Sequence, residues 1–144
     1  MAAASNWFWW ALLSAVFAAL TAIFAKLGLE GVDSDLATLV RTAVIMLVLA
    51  VFVYCTGKWR SPFGLSSRTW LCLVLSGLAT GASWVCYFRA LKIGDASKVA
   101  PVDKLSVVLV ALFAVAFLGE RPAAREWLGI GMVAAGVLVL SIKR

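Results

Sequence analysis

Asp103 and Lys104 are charged neighbours inside a stretch that is otherwise uncharged from Val99 to Leu118, and Arg41 interrupts a second such stretch, 36–56. An ionised group surrounded by apolar side chains needs a partner, water or a route for its head to reach water. These three residues are therefore candidates for gating or coupling. A different chemistry is offered by Ser76, Thr80, Ser83 and Tyr87, which recur at helical spacing with Trp84 beside them. Hydroxyls give adaptable hydrogen bonds, and Trp and Tyr give broad apolar or cation-binding faces. Together with Ser14 of the first apolar run they form a candidate binding cavity, which is chemistry of recognition and not of bond making. The chain has no histidine, and its 7 carboxylates are dispersed. A zinc site or a histidine-based triad thus lacks material, and no catalytic residue, metal or cofactor is expected. Cys55, Cys72 and Cys86 form neither an even disulfide set nor a C-x-x-C pair, and read as small apolar packing residues.

The elements that hold these residues are set by composition. Of 144 residues, 64% are apolar and 14% charged, with a mean hydropathy of +1.02. A water-facing globule of that make-up would lack the polar surface to cover itself, so the chain reads as an integral membrane protein. Five runs have the length for it: about 7–25, 36–56, 70–88, 99–118 and 123–142. At about 1.5 Å per residue the first covers roughly 28 Å, close to a hydrocarbon core. It lacks the basic start of a signal peptide. The runs are continuous where barrel strands would alternate, so an all-α membrane protein of five helices is expected, with residues 1–144 as one domain. The connections are short, and Ser34 and Asp35, Ser66 and Ser67, and Asp95 and Ser97 mark helix starts. Gly119 marks the end of the fourth helix, and Pro122 suits the first turn of the fifth. Trp7, Phe8, Trp9, Trp10, Trp59, Trp70 and Trp127 lie at run ends, as an interfacial aromatic belt would. The net charge of +6 suits basic loops beside anionic headgroups and requires no nucleic acid.

Five spans put the termini on opposite sides. Lys58, Arg60, Arg68, Arg121 and Arg125 then share the side of the N-terminus, against Lys26, Arg89, Lys92, Lys98, Lys143 and Arg144 on the other. The two sets are nearly equal, so the positive-inside rule gives no firm orientation. A chain so balanced is expected to insert both ways, and two opposed copies would form a dimer about an axis in the membrane plane. A fixed orientation set by other insertion signals is the alternative.

The stretch 87–140, with A-L-K at Ala90 to Lys92, A-P at Ala100 and Pro101, and G-E-R at Gly119 to Arg121 followed by Gly129 and Gly136, resembles the C-terminal half of an EamA domain of the drug/metabolite transporter superfamily. The upstream part, with Phe24 to Leu27 closing the first run and Arg41 early in the second, fits as well. Most members of that family carry two such domains with inverted topology, and this chain carries one. The resemblance therefore implies a transporter completed by a second copy or a paired chain, in a bacterial inner membrane. Asp103 and Lys104 depart from the family pattern, in which mainly apolar residues are expected after the A-P.

Depth separates the candidate groups. Asp103 falls roughly 9 Å from the midplane of a ~30 Å core, so its two copies in an antiparallel dimer would stand roughly 18 Å apart, one near each mouth. Ser14 and Thr80 fall at the midplane, with Ser76 and Ser83 just off it. A neutral, aromatic cavity with charged groups at its ends favours export or exchange of a neutral, zwitterionic or amphipathic metabolite or drug. Proton coupling through Asp103 is the alternative. Adjacent helical residues point about 100° apart, so Arg89, Lys92 or a basic residue of the other subunit is a better expected partner for Asp103 than Lys104. Arg41 is expected to snorkel as an interface anchor or loop clamp. The G-x-x-x-G of Gly77 and Gly81 is expected to pack helices closely, with serine and threonine bonding their own backbone. Two other functions fit the same runs: one half of a lipid or lipid-linked sugar flippase with a separate partner, and a non-transporting assembly subunit.

Overall fold

The computed structural model describes residues 6–61 and 64–141, and every regular element among them is helical. In chain order they are α1 (Asn6–Gly28), α2 (Ser34–Cys55), α3 (Ser67–Ile93), α4 (Ala96–Asp103), α5 (Ser106–Phe113), a π-helical turn (Ala114–Leu118) and α6 (Ala124–Ser141). Five stretches are long and apolar enough to cross a membrane: Trp7–Gly28, Ser34–Cys55, Ser67–Ile93, Ala96–Leu118 and Ala124–Ser141. The side chains agree with lipid as the surrounding solvent. Few apolar residues are buried within the chain, among them Ala22, Leu29, Phe88, Leu91, Ala114 and Val137, while most of the large ones face outward.

Helix ends follow local chemistry, with corrections to the sequence reading. Asp33, not Ser34 or Asp35, caps α2: its Oδ1 accepts hydrogen bonds from the Asp35 and Leu36 amides at 2.9 and 3.1 Å. Ser66 Oγ accepts from the Thr69 amide at 3.1 Å at the start of α3, as expected. α3 outruns the expected 70–88 at both ends, taking in Arg68, Arg89 and Lys92. Long basic side chains belong comfortably in a helix and reach the headgroups from it, so an uncharged run understates the helix that contains it. Gly119 closes the fourth span in the left-handed conformation, φ 68° and ψ 18°. Pro122 precedes α6 instead of opening it, and Glu126 Oε2 accepts from the Ala123 amide at 2.6 Å. Lys143 and Arg144 lie outside the described residues.

The chain divides into two compact units. One holds the residues up to Ile23 and from Ile93 onward; the other is Phe24–Lys92. In the first unit α6 packs on both α4 and α5. In the second, Leu29, Ser34, Thr38, Phe88 and Leu91 are the buried residues, where the α1–α2 connection meets the end of α3.

Candidate functional site

The second unit contains an open cleft of about 640 Å³ along α2 and α3, within the size range of small-molecule sites. From α2 it is lined by Asp35, Thr38 and Thr42, and from α3 by Ser76, Thr80 and Trp84. Gly77 and Gly81 complete the α3 wall. A Cβ built on either glycine meets nothing within 4 Å. Among the described residues neither glycine makes the expected close-packing contact, and the missing side chains widen a cleft.

The cleft's threonines bond to their own helices, as the sequence suggested. Thr38 Oγ1 donates to the Ser34 carbonyl at 2.7 Å, Thr42 Oγ1 to the Thr38 carbonyl at 2.7 Å, and Thr80 Oγ1 to the Ser76 carbonyl at 2.8 Å. Each hydroxyl has a single proton, so these three retain only lone pairs for anything bound beside them.

Of the six residues assigned to a cavity from sequence, Ser76, Thr80 and Trp84 line this cleft, and the other three do not. Ser83 is turned about 100° from Trp84 around the helix and is exposed. Tyr87 and Phe88 form a T-shaped ring pair with centroids 6.0 Å apart. Ser14 is exposed on α1 and belongs to the other unit.

Arg41 is half-buried, and its guanidinium lies over the rings of Trp84 and Phe88, 4.5 and 4.9 Å from their centroids. One face of Trp84 is thus already occupied by a cation. Arg41 Nη1 is buried, with no hydrogen-bond partner among the described residues. The expectation of an interface anchor or loop clamp did not include the aromatic pair one helix away. Trp84 and Phe88 lie four apart on α3, and that spacing was the available signal.

At the Asp35 end of the cleft the connection between α1 and α2 is tied to the end of α3. Arg89 holds Asp35 through two hydrogen bonds, Nε to Oδ1 at 3.0 Å and Nη2 to Oδ2 at 2.6 Å. Lys92 Nζ donates to the Val32 carbonyl at 2.7 Å, and Lys26 Nζ to the Leu91 carbonyl at 2.6 Å. A lysine on one of the last carbonyls of a helix also complements the negative end of its dipole.

Asp103 lies in the first unit and meets its sequence neighbour there. Arg89 and Lys92 are engaged within the second unit, and Asp103 Oδ2 meets Lys104 Nζ at 3.5 Å. The break in the fourth span makes this neighbour contact available. α4 ends at Asp103, and the next amides reach back only three residues, Lys104 to the Pro101 carbonyl at 2.9 Å and Leu105 to the Val102 carbonyl at 3.0 Å. Pro101 itself has no amide proton for the Ser97 carbonyl. Among the described residues no cluster of three or more His, Cys, Asp or Glu side chains could hold a metal.

The sequence model of the EamA-like transporter family matches residues 5–142. A Sinorhizobium protein named "Uncharacterized transporter in cobO 3'region" is 59% identical over 137 residues, covering 95% of this chain and 97% of that protein. "Uncharacterized transporter YxxF" of Bacillus subtilis is 26% identical over 136 residues, which are 94% of this chain but 42% of the longer relative. A protein of Hamiltonella defensa named "Probable 4-amino-4-deoxy-L-arabinose-phosphoundecaprenol flippase subunit ArnE" is 26% identical over 105 residues, 67% of this chain and 93% of that one. No solved structure matches the chain. The family match over nearly the whole sequence agrees with the five membrane-length helices, and the chain belongs to the EamA-like transporter family as a multi-pass membrane protein.

Proposed function

We propose that this chain is one half of a small-molecule transporter of the bacterial inner membrane. It exports or exchanges a metabolite or drug by alternating access, and a second copy inserted the opposite way completes the passage. The observation that carries this reading is the α2/α3 cleft: it is large enough for a small molecule and runs from Asp35 at the start of α2 to Gly77 and Ser76 within the third span. One five-span chain supplies one wall of such a passage, and its nearly balanced loop charges suit insertion in both senses. Ser76, Thr80 and Trp84 then bind the cargo, Ser14, Ser83 and Tyr87 belong to the wall completed by the second copy, and Arg41, Asp103 and Lys104 act at the ends as gates. The test is flux into proteoliposomes that contain the purified full chain alone, combined with labelling of both termini from each side of the membrane. Flux with both termini found on both sides supports the proposal; termini confined to opposite single sides end the antiparallel homodimer.

A second reading is half of a heteromeric flippase for a lipid or lipid-linked sugar. It is favoured by the likeness to the ArnE protein, which this chain matches over 93% of that protein's length. Flux that appears only when a second gene product is co-reconstituted selects it over the homodimer.

A further inference from the structure

We propose that the α2/α3 cleft selects amphipathic amines, and that Asp35 exchanges the Arg89 guanidinium for the ammonium of the bound molecule. The inference rests on the cleft being the transport site and adds the class of molecule it takes.

Most of the protons along the cleft are already committed. Thr38, Thr42 and Thr80 donate their only hydroxyl protons to carbonyls of their own helices, so each presents lone pairs to the cleft. Helical backbone amides are committed to the ladder in the same way. Asp35 is the charged residue among the described lining, and an ionised carboxylate only accepts. The donors that remain are the Ser76 hydroxyl and the Trp84 indole N–H. Arg41 does not line the cleft and is stacked on Trp84 and Phe88. A molecule rich in acceptors, or an anion, would find few donors and one like charge. A molecule with an ammonium finds a carboxylate and a row of lone pairs, and the apolar lining, including Leu39 and Leu73, suits an apolar body.

Arg89 is a ready competitor. Its fork already satisfies both oxygens of Asp35, while both side chains remain about half exposed, 62% for Arg89 and 48% for Asp35. An incoming ammonium replaces one charge-assisted pair by another, and the Arg89 head passes to water.

Three indoles of similar size test the class: tryptamine, tryptophol and indole-3-acetate carry an ammonium, an alcohol and a carboxylate on the same ring. Binding of tritiated tryptamine to the full chain in nanodiscs is measured directly, with the other two as competitors. The expected order is tryptamine, tryptophol, indole-3-acetate, with about tenfold or more between the first and last. Asp35→Asn is expected to weaken tryptamine by about tenfold or more, whereas Arg89→Gln, which removes the competitor, is expected to tighten it. Equal affinities, preference for the acid, or no binding of any of the three overturns the proposal. So does an Arg89→Gln that weakens tryptamine as Asp35→Asn does, because that is the result of a purely structural ion pair. Tryptamine binding without flux in proteoliposomes sinks the transport reading and leaves the amine site. Flux of other solutes without tryptamine binding sinks the amine site and leaves transport.

Discussion

The Arg89 guanidinium grips the Asp35 carboxylate with Nε and Nη2, the two donors of one edge, joining the first turn of α2 to the C-terminal part of α3 across 54 positions of sequence. The pair closes a frame in which Lys92 and Lys26 hold the Val32 and Leu91 carbonyls. Because the contact is a two-bond fork, geometry matters as much as charge. Arg89→Lys is expected to lower the melting temperature of the detergent-solubilised protein, and the single reversals Asp35→Arg and Arg89→Asp to lower it further. The double reversal is expected to recover more than half of that loss, a result read from one thermal series. A double reversal no better than either single would mean that the two residues stabilise independently.

Gly77 and Gly81 give a sharper test of the cleft. Each sits in α3 with open space where a side chain would project, so Gly77→Ala gains helix propensity without a clash and is expected to stabilise by about 0.5–1 kcal/mol. Gly77→Leu is also expected to fold, but it places a bulky side chain in the cleft, and flux in proteoliposomes should fall about tenfold or more, equivalent to ~1.4 kcal/mol. Loss of stability in Gly77→Ala would instead reveal a helix packed against that glycine.

Much of this arrangement could be read from the residues, and what could not has a physical pattern. Uncharged runs located all five spans because lipid demands continuous apolar helix, and Gly119 announced its own left-handed cap. Ser76, Thr80 and Trp84, grouped by their helical spacing, line one cleft. The ends of α3 were misjudged because charge limits an apolar run but not a helix. The pairing of Asp35 with Arg89 was hidden for another reason: it depends on which helix ends meet in space, and local spacing carries no such information. The same holds for Arg41, whose aromatic partners are on another helix. Asp103 illustrates the reverse error, since the angular argument against Lys104 assumes a regular helix and the chain breaks at that point.

Arg41 combines stacking on two rings with a buried nitrogen that finds no hydrogen-bond partner among the described residues. An unsatisfied buried donor costs about 1–3 kcal/mol, which offsets what the stacking contributes. Arg41→Met keeps the apolar stem against Trp84 and Phe88 and removes the orphaned donor. It is therefore expected to match or exceed the parent in thermal stability. Arg41→Lys, which has no planar head to stack, is expected to be the less stable of the two. If Arg41 also gates the passage, flux in the stable Arg41→Met protein falls while its melting temperature does not, and unchanged flux would remove Arg41 from the mechanism.

The interruption of the fourth span at Asp103 and Lys104 separates structure from coupling in a similar way. Pro101 withholds an amide proton from the preceding turn, and the amides of Lys104 and Leu105 reach back only three residues, so α4 and α5 form two short segments where one straight helix would span. Pro101→Ala restores the missing donor and is expected to raise the melting temperature. If the passage opens by bending at this break, the same variant lowers flux although it is more stable. Asp103→Asn leaves the backbone untouched and removes the charge beside Lys104. Should Asp103 carry a proton during turnover, that variant loses the pH dependence of flux and keeps exchange. A profile unchanged from the parent would show that the carboxylate is no proton carrier, and the break would then act through shape alone.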